Sequence, residues 1–222
     1  MIARKSVAKY IEKRDGLPSN PSNVYIYNGA SEAISSVMKL INNGPKTGFM
    51  IPIPQYPLYS AEVSLNGNQF VGYYLNEEKG WQLDYEDLVR GYNDAKKSGV
   101  NVRALIIINP GNPTGNIFTL ESLQQILKFA HENKLVVLAD EVYQINIYDE
   151  KKKFISMKKA LSTMPEEIAK SVELFSFHSS SKGVTGECGL RGGYLETVNI
   201  DPEVEAQILK LKSISLCSNT VG

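Results

Sequence analysis

The chain reads as an α/β protein built on a mostly parallel sheet of seven strands with one antiparallel member. Three observations carry that reading. Short β-branched and aromatic runs alternate with longer segments of helical apolar spacing, the pattern of strands joined by crossover helices. Some runs, such as Ala104-Leu-Ile-Ile-Ile108, are continuously apolar, as strands covered on both faces must be. The run at 193–198 follows the one at 172–178 after too short a gap for a crossover helix, so it should run antiparallel.

Taken in order, residues 1–15 are basic and amphipathic, and Glu12 and Asp15 argue against a transit peptide, which lacks acidic residues. The spacing predicts a helix near 3–14, with Ile2, Val7, Tyr10 and Ile11 on its apolar side and Gly16 as its stop. A strand near 24–28 ends in Asn28-Gly29, and Ala33, Ile34, Val37, Met38 and Ile41 then recur at helical spacing over 31–42. Strands near 48–53 and 69–75 flank a helix near 56–66, and a helix near 84–97 follows. The strand at 103–109 stops at a Pro/Gly-rich turn holding Asn112, before a helix near 120–132. The strand at 135–141 ends on Asp140, with Tyr143 three residues on. The strand at 172–178 leads into Ser179-Ser-Ser-Lys182-Gly183; Arg191-Gly-Gly193 opens the last strand, and a helix follows near 202–215. No linker, repeat or low-complexity stretch divides residues 1–222, which predicts one domain.

Composition excludes several classes. Lys+Arg 24 balances Asp+Glu 24, so no net basic field draws the chain to nucleic acid or an anionic membrane. The most basic stretch, Glu150-Lys-Lys-Lys153, reads as a solvated loop. No apolar run approaches the ~18 residues of a membrane span. Cys188 and Cys217 are too few for a disulfide framework and lack metal-ligand spacing, which points to a reducing compartment.

The candidate chemistry sits where strands hand over to loops. Lys182, delivered by an apolar strand beside three hydroxyls and ahead of Arg191, suits an amine that reacts with the aldehyde of a phosphorylated cofactor. The helix start at Ala30-Ser31-Glu32 offers free backbone N–H groups to a phosphate. Asp140 would be costly to bury unpaired, and a protonated ring nitrogen would offset that cost. Taken singly, each residue has a plainer reading: a strand-end carboxylate, a packed phenol at Tyr143, a turn cap at Asn112, a loop aromatic at Tyr56, an ion-pair partner at Arg191. His178 reads as packing under the loop and His131 as solvated.

Asn112-Pro-Thr-Gly115, Asp140-Glu-Val-Tyr143, Ser179-Ser-Ser-Lys182 and Arg191-Gly-Gly193 stand in the order and rough spacing of the pyridoxal-phosphate-dependent aminotransferases of fold type I. More narrowly, Ile51-Pro-Ile-Pro-Gln-Tyr56-Pro-Leu-Tyr59-Ser-Ala61, Ile108 to Gly115 and Phe177 to Gly193 resemble the alanine aminotransferases. The resemblance covers nearly the whole chain. It implies the large domain of that fold, with helices on both faces of a seven-stranded sheet, over residues 1–222; the N-terminal arm, the C-terminal small domain and the arginine that grips the substrate carboxylate are expected to lie outside.

The resemblance also implies pyridoxal 5'-phosphate as cofactor, joined covalently to Lys182. Asp140 would hold the ring nitrogen protonated, Tyr143 and Asn112 would bond its phenolic oxygen, and Tyr56 would stack on the ring. The phosphate would rest on Ala30, Ser31, Glu32, Ser179 and Arg191. The expected activity is exchange of the amino group between L-alanine and 2-oxoglutarate by a cytoplasmic homodimer, with residues 1–222 inactive alone. A cofactor-binding domain without catalysis and another fold type I enzyme, such as a lyase, remain alternatives at this stage.

Overall fold

The computed structural model describes residues 1–215 and 217–219. Helix α1 (Ile2–Asp15) ends where Gly16 takes φ 66°, its N–H closing on the carbonyl of Glu12. Strand β1 (Val24–Tyr27) passes through Asn28-Gly29 into α2 (Ala30–Ile41). Then come β2 (Thr47–Ile53), α3 (Leu58–Leu65), β3 (Gln69–Asn76), β4 (Gln82–Leu83) and α4 (Tyr85–Lys97), the last capped by the Asp84 carboxylate on the N–H of Asp87. β5 (Asn101–Ile108), α5 (Leu120–Asn133) and β6 (Val136–Asp140) complete the middle of the sheet. The short helices α6 (Met157–Leu161) and α7 (Glu166–Ser171) precede β7 (Leu174–Ser179), β8 (Gly193–Val198) and α8 (Pro202–Ile214).

The strands form one sheet in the order β1-β8-β7-β6-β5-β2-β3-β4. All seven predicted strands are present, and β8 runs antiparallel to both neighbours. An eighth, β4, pairs antiparallel with β3 through Leu75 opposite Leu83; at two residues it is too short to show any alternation. α6 and α7 were not predicted either. Each spans about one turn, too little for an apolar period to register, and α6 is set instead by its Ser156 cap on the N–H of Lys159.

Period-two alternation explains why both faces are covered. Phe49 and Ile51, Ala104 and Ile106, and Val136 and Leu138 face one way, onto Ile34, Val37 and Met38 of α2, Val63 of α3 and Ile208 of α8. Their neighbours Met50, Leu105, Ile107 and Val137 face the other way, onto Leu88 of α4, Leu123, Ile126 and Leu127 of α5, and Met157 of α6. Each of these side chains other than Ala104, taken from water into the core, contributes roughly 1.5–3 kcal/mol.

The apolar face of α1 differs from the predicted one. Ile11 is buried and Val7 packs beside it as predicted, with the unpredicted Ala8, on Val24 and Tyr194; Tyr10, 38% exposed, stacks on His178, and Ile2 is 85% exposed. His131 is not a free solvated side chain: its Nδ1 lies 2.7 Å from the Ser171 hydroxyl, tying α5 to α7. Lys151, Lys152 and Lys153 are exposed, as a solvated loop requires. Among the described residues no helix is long and apolar enough to cross a membrane, and no cluster of side chains could hold a metal ion.

Candidate active site

The C-terminal ends of β1, β2, β5, β6 and β7 lie at one edge of the sheet, and the start of β8 joins them because that strand is reversed. A cavity of about 300 Å³ opens there. Its lining includes Ala30, Ser31, Tyr56, Asn112, Asp140, Tyr143, Ser179, Lys182 and Arg191, so the fold gathers all the predicted site residues except Glu32. Glu32 lies in the first turn of α2 but folds its carboxylate back to accept from the N–H of Asn28 at 2.7 Å, closing the helix start rather than facing the cavity.

Asp140 ends β6 with only 4% of its surface exposed. Tyr59 donates its hydroxyl to Oδ2 at 2.7 Å, and the N–H of Val142 approaches Oδ1 at 3.3 Å. Burial pushes the carboxyl above the usual aspartate range, and these two donors pull it back. Among the described residues no cation pairs with it. A buried anion with spare acceptor capacity, facing a cavity, fits a protonated heterocyclic nitrogen.

The opposite wall is electropositive. Gly29, the residue before α2, has φ 98°, and a β-carbon there would stand 2.4 Å from Arg191 Nη2. The guanidinium therefore lies across the helix start, donating to the carbonyls of Asn28 and Cys188, each at 2.9 Å. It has no carboxylate partner among the described residues. A guanidinium without a counter-ion, beside unpaired first-turn N–H groups, makes an anion seat. Gly193 sets how close α2 can come: a β-carbon there would stand 2.7–2.8 Å from the backbone of Gly29 and Ala30. Gly193→Ala is accordingly expected to destabilise the fold by about 1–3 kcal/mol and to weaken anion binding. Urea denaturation and phosphate titration measure the two effects.

Lys182 sits on the loop between β7 and β8, which closes on itself through Ser180 N–H to Gly192 O at 3.1 Å and Glu187 N–H to Ser180 O at 3.1 Å. Asn146 holds that loop against the segment after β6 by accepting from the N–H of Gly183 at 2.9 Å. The amine stands 5.7 Å from the ring centre of Tyr143. Neither it, the Tyr143 hydroxyl nor the Asn112 amide has a hydrogen-bond partner among the described residues, so three polar groups are available to a ligand. Asn109 anchors the turn carrying Asn112, its N–H on the Asp140 carbonyl at 2.9 Å and its Oδ1 accepting from Phe118 N–H at 3.1 Å. Ser179 spends its hydroxyl on Gly192 O at 3.1 Å and Ser181 at 2.9 Å, so it shapes the loop as well as lining the cavity. Tyr56 stands at the rim, 44% exposed.

Behind the site lies a polar cluster that the motifs did not reveal. Glu141, the first residue past β6, does not line the cavity with Asp140 and is buried with Arg14, Asp15, Gln144 and His178 around it. Arg14 grips Asp15 at 2.8 and 2.7 Å and reaches Glu141 at only 3.4 Å. Burial raises the Glu141 carboxyl to about 7, against the opposing pull of Arg14. His178 packs between Tyr10 of α1 and Tyr194 of β8, with Nδ1 3.2 Å from the Glu141 carbonyl, and burial lowers its pKa to about 4. The signal for this layer is the Asp140-Glu141 doublet itself: two adjacent carboxylates at the end of a buried strand cannot share one partner, and Glu141 has Arg14 and the N–H of Met157.

The family described as aminotransferase class I and II matches residues 2–222. Over 222 residues the chain is 50% identical to a probable mitochondrial alanine aminotransferase of Dictyostelium discoideum, covering 100% of this chain and 41% of that protein. It is 47% identical over 216 residues to glutamate–glyoxylate aminotransferase 2 of Arabidopsis thaliana, covering 97% of this chain and 45% of that protein. The structure of an alanine aminotransferase from Pyrococcus furiosus superposes with a TM-score of 0.85 at 29% identity, over 98% of this chain and 51% of that one. The chain thus spans less than half the length of these curated relatives.

Proposed function

Because the chain belongs to the class I and II aminotransferases, a pyridoxal-phosphate-dependent family, we propose that residues 1–222 form the cofactor-binding large domain of an alanine aminotransferase. The reaction is exchange of an amino group between L-alanine and 2-oxoglutarate, giving pyruvate and L-glutamate. The observation that carries this reading is the meeting, in one cavity, of an unpaired lysine amine, a buried carboxylate without a cation, and an anion seat built from Arg191 and the start of α2.

When bound, pyridoxal 5'-phosphate supplies an aldehyde and a protonated ring that accepts electron density from the substrate carbon. Lys182 would provide the nucleophilic amine for that aldehyde and a base that carries a proton on Nζ. Asp140 would favour the protonated form of the ring nitrogen, because an adjacent anion stabilises a cation. Tyr143 and Asn112 would offer their free hydroxyl and amide to the phenolic oxygen, and Tyr56 its ring to the cofactor ring. Ala30, Ser31, Ser179 and Arg191 would hold the phosphate.

Incubating the chain with cofactor, reducing with borohydride and mapping peptides by mass spectrometry is expected to find the adduct on Lys182. Modification of surface lysines with Lys182 free would sink the assignment. Pyruvate formation from alanine and 2-oxoglutarate should appear in a protein of the relatives' full length and be lost or much reduced in residues 1–222. The Arabidopsis relative favours a glutamate–glyoxylate pair as a second reading, and the same assay with glyoxylate separates the two.

Exposed Ile145 and Tyr148 beyond Tyr143, Val184 beyond Lys182 and Leu190 before Arg191 surround the site in sequence. That apolar collar supports a homodimer closing over the cavity, measurable by sedimentation. Two exposed free thiols support the cytoplasm; a mitochondrial location, printed for the Dictyostelium protein, is the competing outcome of fractionation.

A further inference from the structure

We propose that Tyr59 is the positioning residue of the Asp140 carboxylate, occupying Oδ2 so that Oδ1 is the oxygen presented to the cationic ring nitrogen. The assignment rests on the cofactor reading above and deepens it. Tyr56 and Tyr59 lie three residues apart at the start of α3, one at the cavity rim and the other beneath it, so a single turn of chain would supply both the ring cover and the donor under the carboxylate.

The geometry separates the two oxygens. Oδ2 accepts the Tyr59 hydroxyl at 2.7 Å, whereas Oδ1 has only the 3.3 Å approach of Val142 N–H. Oδ1 therefore retains the acceptor capacity a cation needs. Tyr59 cannot drift, since its ring is fully buried in the core between α2, α3 and the sheet. Nor can the neighbouring phenol of Tyr73 replace it, because that hydroxyl is committed to the carbonyl of Ile106 at 2.8 Å.

The hydrogen bond also governs charge. Burial disfavours the Asp140 anion, and the Tyr59 hydroxyl is the first of the two groups opposing that cost. Without it, the carboxyl takes a proton at a higher pH and loses its attraction for a cationic ring. The other titratable groups facing this space are Tyr56, Tyr143, Lys182, Cys188 and Arg191 from the cavity walls and Tyr73 from β3. None of them is hydrogen-bonded to Asp140.

The test uses the 222-residue chain, Tyr59→Phe, Asp140→Asn and the double variant. Carbon-13 NMR of labelled aspartates follows Asp140 in the cofactor-free protein, and absorbance titration with pyridoxal 5'-phosphate follows binding across pH. In Tyr59→Phe, Asp140 is expected to titrate at higher pH. Cofactor affinity near neutrality is expected to fall about tenfold, since a hydrogen bond to a charged group is lost, with a loss that deepens toward acid. In the Asp140→Asn background the same change should have little effect. An unmoved Asp140 titration, or an affinity loss equal at every pH and in both backgrounds, would overturn the proposal and leave Tyr59 as packing alone. If Tyr59→Phe moves the Asp140 titration but the unsubstituted chain binds no cofactor, the cofactor reading itself is refuted, and with it the ring nitrogen as the partner of Oδ1.

Discussion

Asp140→Asn is expected to lower transaminase turnover by about three orders of magnitude, roughly 4 kcal/mol of barrier, in a protein of full family length. Asparagine keeps the volume and an oxygen for the Tyr59 hydroxyl, so the fold and the attachment at Lys182 should persist. What would disappear is the anion proposed to face the ring nitrogen, whose influence would be felt when charge moves onto the ring. Single-turnover kinetics on variant and parent, with circular dichroism as a control, measures the effect. Near-normal turnover would make Asp140 a structural residue.

Most of the architecture was legible because local and tertiary demands agree. Ala104 to Ile108 is apolar on both faces since helices cover both, and the run declares itself without knowledge of its partners. The reversed β8 was legible from a connection too short for a crossover helix. The site was legible as an ordered set of strand ends, since Asp140 closes β6 and Asn112 and Lys182 stand a few residues past β5 and β7. What was hidden depends on contacts distant in sequence. Tyr59 looks like one more aromatic in a Pro-fixed loop until the sheet brings it under a carboxylate 81 residues away. Arg14 meets Glu141 across 127 residues, and no local pattern encodes that meeting. Ile2 was misplaced for the converse reason: helical spacing assigns a face but cannot say which positions on it another element covers.

Arg14→Met is expected to be the most destabilising single change in the polar cluster, at about 3–5 kcal/mol near pH 8, because it leaves two buried carboxylates without a cation. Asp15 and Glu141 side chains are each 2% exposed. The penalty should shrink as pH falls. Glu141 has its folded value raised to about 7 from 4.5, so between those values the folded state holds a proton that the unfolded state has released. Stability from this group is therefore present in acid and declines as pH rises through that window. Removing Arg14 raises the folded value further and extends the decline to higher pH. Urea denaturation at pH 6 and pH 8 should show the larger deficit at pH 8, and Glu141→Gln should flatten the dependence. Equal deficits at both pH values would mean that Arg14 acts through packing on Phe154 rather than through charge.

The pairing of β1 with β8 sets an order of events during synthesis. Val24 finds its partner in Glu196, about 170 positions later, and at about 5–20 residues per second the first strand waits on the order of 10–30 s for the last. Throughout that interval Val24, Tyr25, Ile26 and Tyr27 have no strand to pair with, and Arg191 has not yet reached the glycine before α2. A ligand can stabilise only a state that already contains its seat. The cofactor therefore cannot chaperone the nascent chain, and the strands from β2 to β7 must hold together on apolar packing alone until the final strand arrives.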